Sequence, residues 1–122
     1  MEPLNADDLY HHGSVAMERG ALADAIVLFR ASIALWPHFK TLELLGECLL
    51  RLDQPREAIV PLAAATALHP SGRPPALLAQ AYLALGQYPA AVHFADEALA
   101  RTPDDGLAIE VGRVARRHLV GD

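Results

Sequence analysis

The side chains best suited to metal chemistry are six histidines and one cysteine, and their spacing does not bring them together. No two histidines stand four residues apart, the interval that places both imidazoles on one face of a helix. His11 and His12 are neighbours, so on a helix their side chains point about 100° apart. Cys48 lies in the middle of an apolar periodic segment, which favours a packed thiol. We therefore expect no metal site and no cofactor.

The residues that could serve as nucleophile, acid or base also lack a catalytic setting. The three serines are Ser14, Ser32 and Ser71, and the three acidic pairs are Asp7-Asp8, Asp96-Glu97 and Asp104-Asp105. None of the serines lies in a nucleophile elbow, and no glycine-rich loop could hold a phosphate. The acidic pairs fall at helix starts or on solvated faces, where helix capping explains them. The sequence therefore does not predict an enzyme.

Composition limits the other classes of function. The chain has 122 residues, 52% of them hydrophobic, which is enough to bury a core in one domain, and a net charge of −5 argues against a nucleic-acid surface. A single cysteine forms no internal disulfide. No apolar run approaches the roughly 20 residues of a membrane span, and the acidic start of the chain does not resemble a secretion signal. We expect a cytoplasmic protein that does not insert into membranes.

Small residues and prolines recur along the chain at one constant interval, the distance from Gly13 to Gly46. The recurring positions are Gly13, Gly46, Ala79 and Gly112; Ala25, Ala58 and Ala91; and Pro37, Pro70 and Pro103. We call this distance the repeat interval, and its length indicates stacked structural units. Because glycine within a helix is unfavourable by roughly 1 kcal/mol relative to alanine, its recurrence indicates a close helix crossing. We predict that the glycine column meets the alanine column at that crossing.

The central unit, residues 41–70, shows what each unit contains. Apolar residues at helical spacing run from Leu42 to Leu49 and again from Ala58 to Ala65. Between them, Asp53-Gln54-Pro55 is a helix start signal with proline in the first turn. Each unit is therefore predicted to be a helix, a tight turn and a second helix. The predicted helices end near residues 19, 35, 51, 68, 85, 101 and 120.

The order of these residues resembles the tetratricopeptide repeat pattern. The resemblance rests on His12-Gly13, Ala25, Phe29 and Pro37; on Leu45-Gly46, Ala58, Leu62 and Pro70; and on Leu78-Ala79, Tyr82, Gly86, Ala91 and Pro103. It implies an all-α fold: a right-handed α-solenoid of three helix-turn-helix repeats, at about 6–38, 39–71 and 72–104, in a single domain 1–122. A capping helix at about 104–120 follows, with Ala108, Val111, Gly112, Ala115 and Leu119 facing the repeats. The chain departs from the family in lacking the opening tryptophan and in its repeat interval, which is one residue shorter than the family's.

Two further positions carry expectations from the same pattern. His12 stands in an inward column where the family prefers a larger apolar residue, so it is predicted to be a packed, hydrogen-bonded imidazole. Trp36 precedes Pro37 and is predicted to pack over a helix end, without a ligand role.

In tetratricopeptide folds the first helices of the repeats line a concave groove, so the resemblance implies a peptide-binding surface. The candidate residues are Tyr10, Ser14, Lys40, Glu43, Leu44, Glu47, Arg51, Arg73, Leu77, Gln80, Arg113 and Arg117. Leu44 and Leu77 are expected on the outward face, where leucine favours a binding role over a merely solvated helix surface. Acidic residues dominate the early part of this surface and arginines the late part. The family's carboxylate clamp for chaperone tails is not predicted, because only Arg73 suits its pattern.

Three functions follow as hypotheses. The first is a non-catalytic interaction module that holds a peptide or helix of a partner protein in the groove. The second is a small bacterial secretion-type chaperone, although only five residues precede the first repeat, where those chaperones have a further helix. The third is a self-assembling scaffold unit, because Ile109, Val114 and Val120 lie beyond the packing face of the C-terminal helix and could join two copies into a homodimer.

Overall fold

The structure, a computed structural model, describes residues 3–121, and within that range it contains seven α-helices and no strand. The helices are α1 (Ala6–Glu18), α2 (Leu22–Leu35), α3 (Phe39–Arg51), α4 (Pro55–Leu68), α5 (Arg73–Ala84), α6 (Tyr88–Arg101) and α7 (Gly106–Leu119). Three helical hairpins, α1–α2, α3–α4 and α5–α6, stack in sequence, since α2 also contacts α3 and α4 also contacts α5. The last helix, α7, packs on α6 and α5. The predicted all-α solenoid is confirmed.

Local sequence explains where the helices begin. The side chain of Asn5 accepts a hydrogen bond from the Asp8 backbone N–H at 2.8 Å, and the Asp8 carboxylate accepts one in return from the Asn5 N–H, forming a capping box. The later helices α4, α5 and α6 have proline in their first turn. Asp105 caps α7 by accepting from the Ala108 N–H at 2.9 Å, so α7 begins at Gly106, slightly later than the predicted start near residue 104.

The turn inside each hairpin uses one residue with a positive φ. Gly20, Asp53 and Gly86 have φ values of 79°, 57° and 73°, and they too are separated by the repeat interval. Glycine reaches this left-handed region without strain, whereas aspartate is among the few other residues that tolerate it. The repeat therefore extends to backbone conformation.

Glycine allows the two helices of a hairpin to approach closely, and the side chain nearest to it is larger than the predicted alanine. A Cβ on Gly13 would lie 2.6 Å from the ring of Phe29, and one on Gly46 would overlap the side chain of Leu62. Phe29 and Leu62 lie one turn beyond the predicted Ala25 and Ala58 along the second helix, and Ala25 and Ala58 are buried in the same core. Phe29 and Leu62 are fully buried and make up much of the core.

In the third hairpin, different residues stand at the positions where the two helices pack together. Ala79 replaces the glycine, and the position equivalent to Phe29 and Leu62 is Ala95. Both alanines are fully buried in one cluster. A larger residue on the first helix is thus accommodated by a smaller one on the second.

Two inward positions of the prediction are exposed. His12 is exposed and not a packed, hydrogen-bonded imidazole, although its equivalents Leu45 and Leu78 are buried. The reason is that α3 and α5 each pack against the preceding hairpin, whereas among the described residues no helix precedes α1. Leu119, predicted to face the repeats, is half exposed because it is the last residue of α7. The other four predicted contact residues of α7 are buried.

The close crossing gives a stability prediction. Gly46→Ala should lower the melting temperature by several degrees, because the new Cβ overlaps Leu62, and Leu62→Ala alone should cost about 2–5 kcal/mol. The double variant recreates the Ala79–Ala95 pair, so it should be more stable than the sum of the two changes predicts, by about 0.5–3 kcal/mol in urea denaturation.

The control is Gly106→Ala on α7, where an added Cβ meets no atom within 4 Å. This change should leave stability unaltered or raise it slightly. Strict additivity of Gly46→Ala and Leu62→Ala would contradict the assigned crossing.

Candidate functional site

The first helices of the second and third hairpins and α7 together line an open cavity of about 530 Å³. Its lining residues are Glu47, Leu50 and Arg51 of α3, Arg73, Leu77 and Gln80 of α5, and Leu107 of α7. We call it the groove cavity. Among the described residues, its lining includes none from a second helix. Five of the predicted binding residues therefore meet in one place, namely Glu47, Arg51, Arg73, Leu77 and Gln80.

The prediction missed the two other leucines of this cavity. Leu50 precedes Arg51 on α3, and its equivalents one repeat interval away are Met17 and Leu83. That apolar column was a signal available in the sequence. Leu107 stands in the first turn of α7, and only the packing of α7 on α5 brings it to the cavity.

Charges on the groove cavity are unevenly paired. The Arg73 guanidinium donates from Nη2 to Oε1 of Glu47 at 2.6 Å, which joins α5 to α3. Arg51 lies beside this pair, and within residues 3–121 it makes no salt bridge to a carboxylate. The cavity thus combines an apolar lining from three leucines with one uncompensated positive charge.

The two leucines expected on the outward face are not there. Leu77 is only 2% exposed, because it belongs to the main hydrophobic core, and it touches the cavity from within that core. Leu44 is half-buried and packs against the same core. Glu43 is also buried, at 4% exposure, and its carboxylate accepts a hydrogen bond from Lys40 Nζ at 2.8 Å. Glu43 therefore positions Lys40 and offers little surface of its own.

A second cavity, of about 490 Å³, lies where the start of α1, the end of α2 and the start of α3 meet. We call it the edge cavity. It contains two of the predicted residues, Tyr10 and Lys40, and its remaining lining is Ala6, Asp7, His11, Ser32, Trp36, His38, Phe39 and Thr41. Trp36 follows the last residue of α2, as expected for a residue at a helix end, but it is 68% exposed.

Five predicted residues line neither cavity: Glu43 and Leu44, described above, and Ser14, Arg113 and Arg117. The Ser14 hydroxyl is buried and has no hydrogen-bond partner within the described range, so it presents no polar group to a ligand. Arg113 and Arg117 are exposed on α7. Arg113 donates two hydrogen bonds to Glu110, at 2.6 and 3.1 Å, and these bonds lower the pKa of the Glu110 carboxyl. The predicted residues thus divide between a groove cavity, an edge cavity, the surface of α7 and the buried or half-buried positions Ser14, Glu43 and Leu44.

Reactive groups do not converge in the part of the chain that the structure describes. No three His, Cys, Asp or Glu side chains in residues 3–121 are grouped as metal ligands would be. Burial raises the pKa of the Cys48 thiol from 9.0 to about 11, and the nearby Glu47 charge adds to the effect. None of the described helices has both the length and the apolar character needed to cross a bilayer.

Stacked helical hairpins with a cavity on their first helices define a helical-repeat protein, and comparison with solved structures specifies which kind. The chain superimposes on MamA with a TM-score of 0.91 at 22% identity, covering 97% of this chain and 70% of that one. The first tetratricopeptide domain of Spaghetti (RPAP3), bound to the HSP90 peptide SRMEEVD, gives a TM-score of 0.90 at 18% identity, covering 96% and 94%.

A third similar structure is the Yersinia enterocolitica type III secretion chaperone SycD in complex with a peptide of the translocator YopD. Its TM-score is 0.84 at 17% identity, and 93% of each chain is covered. No family model matches the sequence, and no curated protein sequence matches it. The chain has the tetratricopeptide repeat fold, which confirms the resemblance seen in its repeats.

The raised pKa of Cys48 predicts an unreactive thiol. At pH 8 the folded protein should present ~100-fold less thiolate than a thiol with a pKa of 9.0, and thiolate is the reacting form. Modification by a disulfide reagent should therefore be slow in the native protein and fast in urea. Equal rates in the two conditions would show that Cys48 is accessible.

Proposed function

We propose that this protein is a non-catalytic interaction module that binds a peptide or helix of a partner protein along the first helices of its repeats. The observation that carries the proposal is the composition of the groove cavity: it is lined by first helices and α7, with an apolar interior and an uncompensated Arg51 at its side. Such a combination suits a protein segment, because an apolar side chain can be buried among the leucines while a neighbouring acidic side chain pairs with the arginine.

The charges suggest what the bound segment looks like. An apolar side chain would enter between Leu50, Leu77 and Leu107, and an acidic side chain next to it would pair with Arg51. The Arg73–Glu47 pair already satisfies its own charges and would mainly fix the width of the cavity. The expected ligand is therefore a segment with an acidic residue beside a large apolar one.

The similar structures support this use of the fold. The RPAP3 domain was solved with a bound HSP90 peptide and SycD with a bound YopD peptide. At 18% and 17% identity these likenesses extend to the fold, and the ligands are those of the two named proteins. The proposal for this chain depends on its own cavity.

A peptide-display selection tests the proposal. Random peptides selected on the wild-type protein should bind at least ~10-fold more weakly to Arg51→Glu, because the change places a like charge against the acidic residue. The matched control is Arg56→Glu, an exposed arginine on α4 outside the groove cavity, which should leave affinity unchanged. Leu77→Glu is unsuitable as a probe, because Leu77 is buried and the variant would unfold.

The proposal is contradicted if no peptide is selected. It is also contradicted if the selected peptides bind Arg51→Glu and the wild type equally well, because the groove cavity is then not the binding site. Equal loss in Arg51→Glu and Arg56→Glu would indicate a nonspecific charge effect instead.

The exposed apolar side chains of α7 favour a second candidate, self-association. Ile109 is 51% exposed and Val120, which follows the helix, is 73% exposed. We propose that two copies pair through this face of α7. Sedimentation at increasing concentration should show a dimer, and Ile109→Lys should shift the protein towards monomer, while Gln80→Lys in the groove cavity should not. A monomer at all concentrations would remove this candidate.

A further inference from the structure

One arginine joins the second and third hairpins through backbone carbonyl groups. The Arg101 guanidinium donates from Nη1 to the carbonyl oxygens of Thr66 at 3.0 Å, His69 at 2.8 Å and Ser71 at 3.4 Å, while Glu97 accepts from its Nε at 3.1 Å. These carbonyls lie at and just beyond the end of α4. The guanidinium therefore satisfies acceptors that the end of a helix leaves without donors.

Proline explains why the carbonyl groups at the end of α4 need a hydrogen-bond donor from another helix. The helical partner of the Thr66 carbonyl would be the N–H of the residue four positions later, which is Pro70 and has none. The same arrangement occurs one repeat interval earlier, where the Ile33 carbonyl faces Pro37 in the same relation. Ile33, Trp36 and His38 are the equivalents of Thr66, His69 and Ser71.

The junction of α2 and α3, one repeat interval before the junction that Arg101 joins, lacks this arginine. The residue equivalent to Arg101 is Leu68, which has no donor and is exposed. The last turn of α2 also contains no basic residue, so the negative end of its dipole is not compensated. Of the three equivalent carbonyls, only that of His38 has a backbone donor within the described residues, the Leu42 N–H at 3.1 Å.

The edge cavity adjoins this junction. Trp36 and His38 belong to both, and the cavity is lined by further aromatic rings, those of Tyr10, His11 and Phe39. Aromatic faces attract cations, and the guanidinium group stacks on them while its fork of donors remains available. The ring of Trp36 is 68% exposed and lines the edge cavity, so it is suited to such a contact.

The charges of the edge cavity also suit a cation. Asp7 lines it and makes no salt bridge within residues 3–121. Lys40 is the basic residue of the lining, and its Nζ is already paired with the Glu43 carboxylate at 2.8 Å. Asp7 is therefore the charged side chain of this lining that no basic side chain of the described residues pairs with.

We propose that the junction of α2 and α3, with the edge cavity beside it, binds an arginine side chain of a partner protein. The guanidinium would occupy the place that Arg101 fills one repeat later, donate to the carbonyls of Ile33 and Trp36, and stack on the Trp36 ring near Asp7. This goes beyond the proposed function, because the edge cavity and the groove cavity share no residue.

Trp36 is the single tryptophan of the chain, so its fluorescence reports directly on this site. The probe is the peptide acetyl-Gly-Arg-Gly-amide, compared with the same peptide carrying citrulline, which is neutral and nearly identical in shape. The arginine peptide should bind saturably with about millimolar affinity, as expected for one side chain. The citrulline peptide should bind at least ~10-fold more weakly, because it lacks the charge.

The decisive variant is one in which an arginine of the chain itself occupies the site. Leu68→Arg places an arginine where Arg101 stands in the next repeat, so it should raise the melting temperature by a few degrees and weaken peptide binding at least ~10-fold. Leu68→Met is the matched control, with a long side chain and no charge, and should bind as the wild type does. Asp7→Asn should weaken binding without filling the site, which keeps the test valid if Leu68→Arg folds poorly.

Equal affinity for the citrulline and arginine peptides would overturn the proposal, and so would arginine binding that both Leu68→Arg and Asp7→Asn leave unchanged. A lysine peptide that binds as tightly as the arginine peptide would also overturn it, because stacking on the Trp36 ring requires the planar guanidinium group. Since the probe does not enter the groove cavity, failure here leaves the proposed function standing, and Arg51→Glu should leave this titration unaltered.

Discussion

The structure depends on how closely the two helices of each hairpin can approach. In the first two hairpins a glycine on the first helix leaves room for a large side chain of the second, Phe29 against Gly13 and Leu62 against Gly46. These large side chains are fully buried, so the missing Cβ atoms allow most of the hydrophobic burial that stabilises the hairpin. The third hairpin reaches a similar closeness with Ala79 and Ala95. Complementary volume, and not glycine itself, is thus the constraint that repeats.

Stacking of the hairpins leaves different surfaces at different places. In the middle of the stack, α5 packs against α4, α6 and α7, and even Leu77 is removed from solvent. At the first hairpin α1 has no preceding neighbour among the described residues, so His12 stays exposed where leucine would be buried later in the chain. The same repeat position therefore has a different environment in each unit, and the working surfaces follow from these differences.

Hairpin ends are a second place where equivalent positions differ. Proline at the end of each second helix stops the helix and also removes a backbone donor. One repeat supplies Arg101 for the acceptors of its predecessor, whereas its equivalent Leu68 cannot do so. A partner could supply the missing hydrogen-bond donor at the junction where Leu68 replaces the arginine. The edge cavity lies beside that junction.

The sequence alone determined the helices, their order and the solenoid, because these follow from local signals: apolar periodicity, the proline and capping residues at helix starts, and the constant repeat interval. It also placed Glu47, Arg51, Arg73 and Gln80 on one surface, since residues at equivalent positions of stacked first helices must lie side by side. Only the tertiary structure decided which residues face each other across a crossing, with Leu62 as the side chain nearest to Gly46. Only it decided that Glu43 and Leu77 are buried and that Leu107 joins the groove cavity, because burial depends on the neighbouring helices that cover a position and not on its place in the repeat.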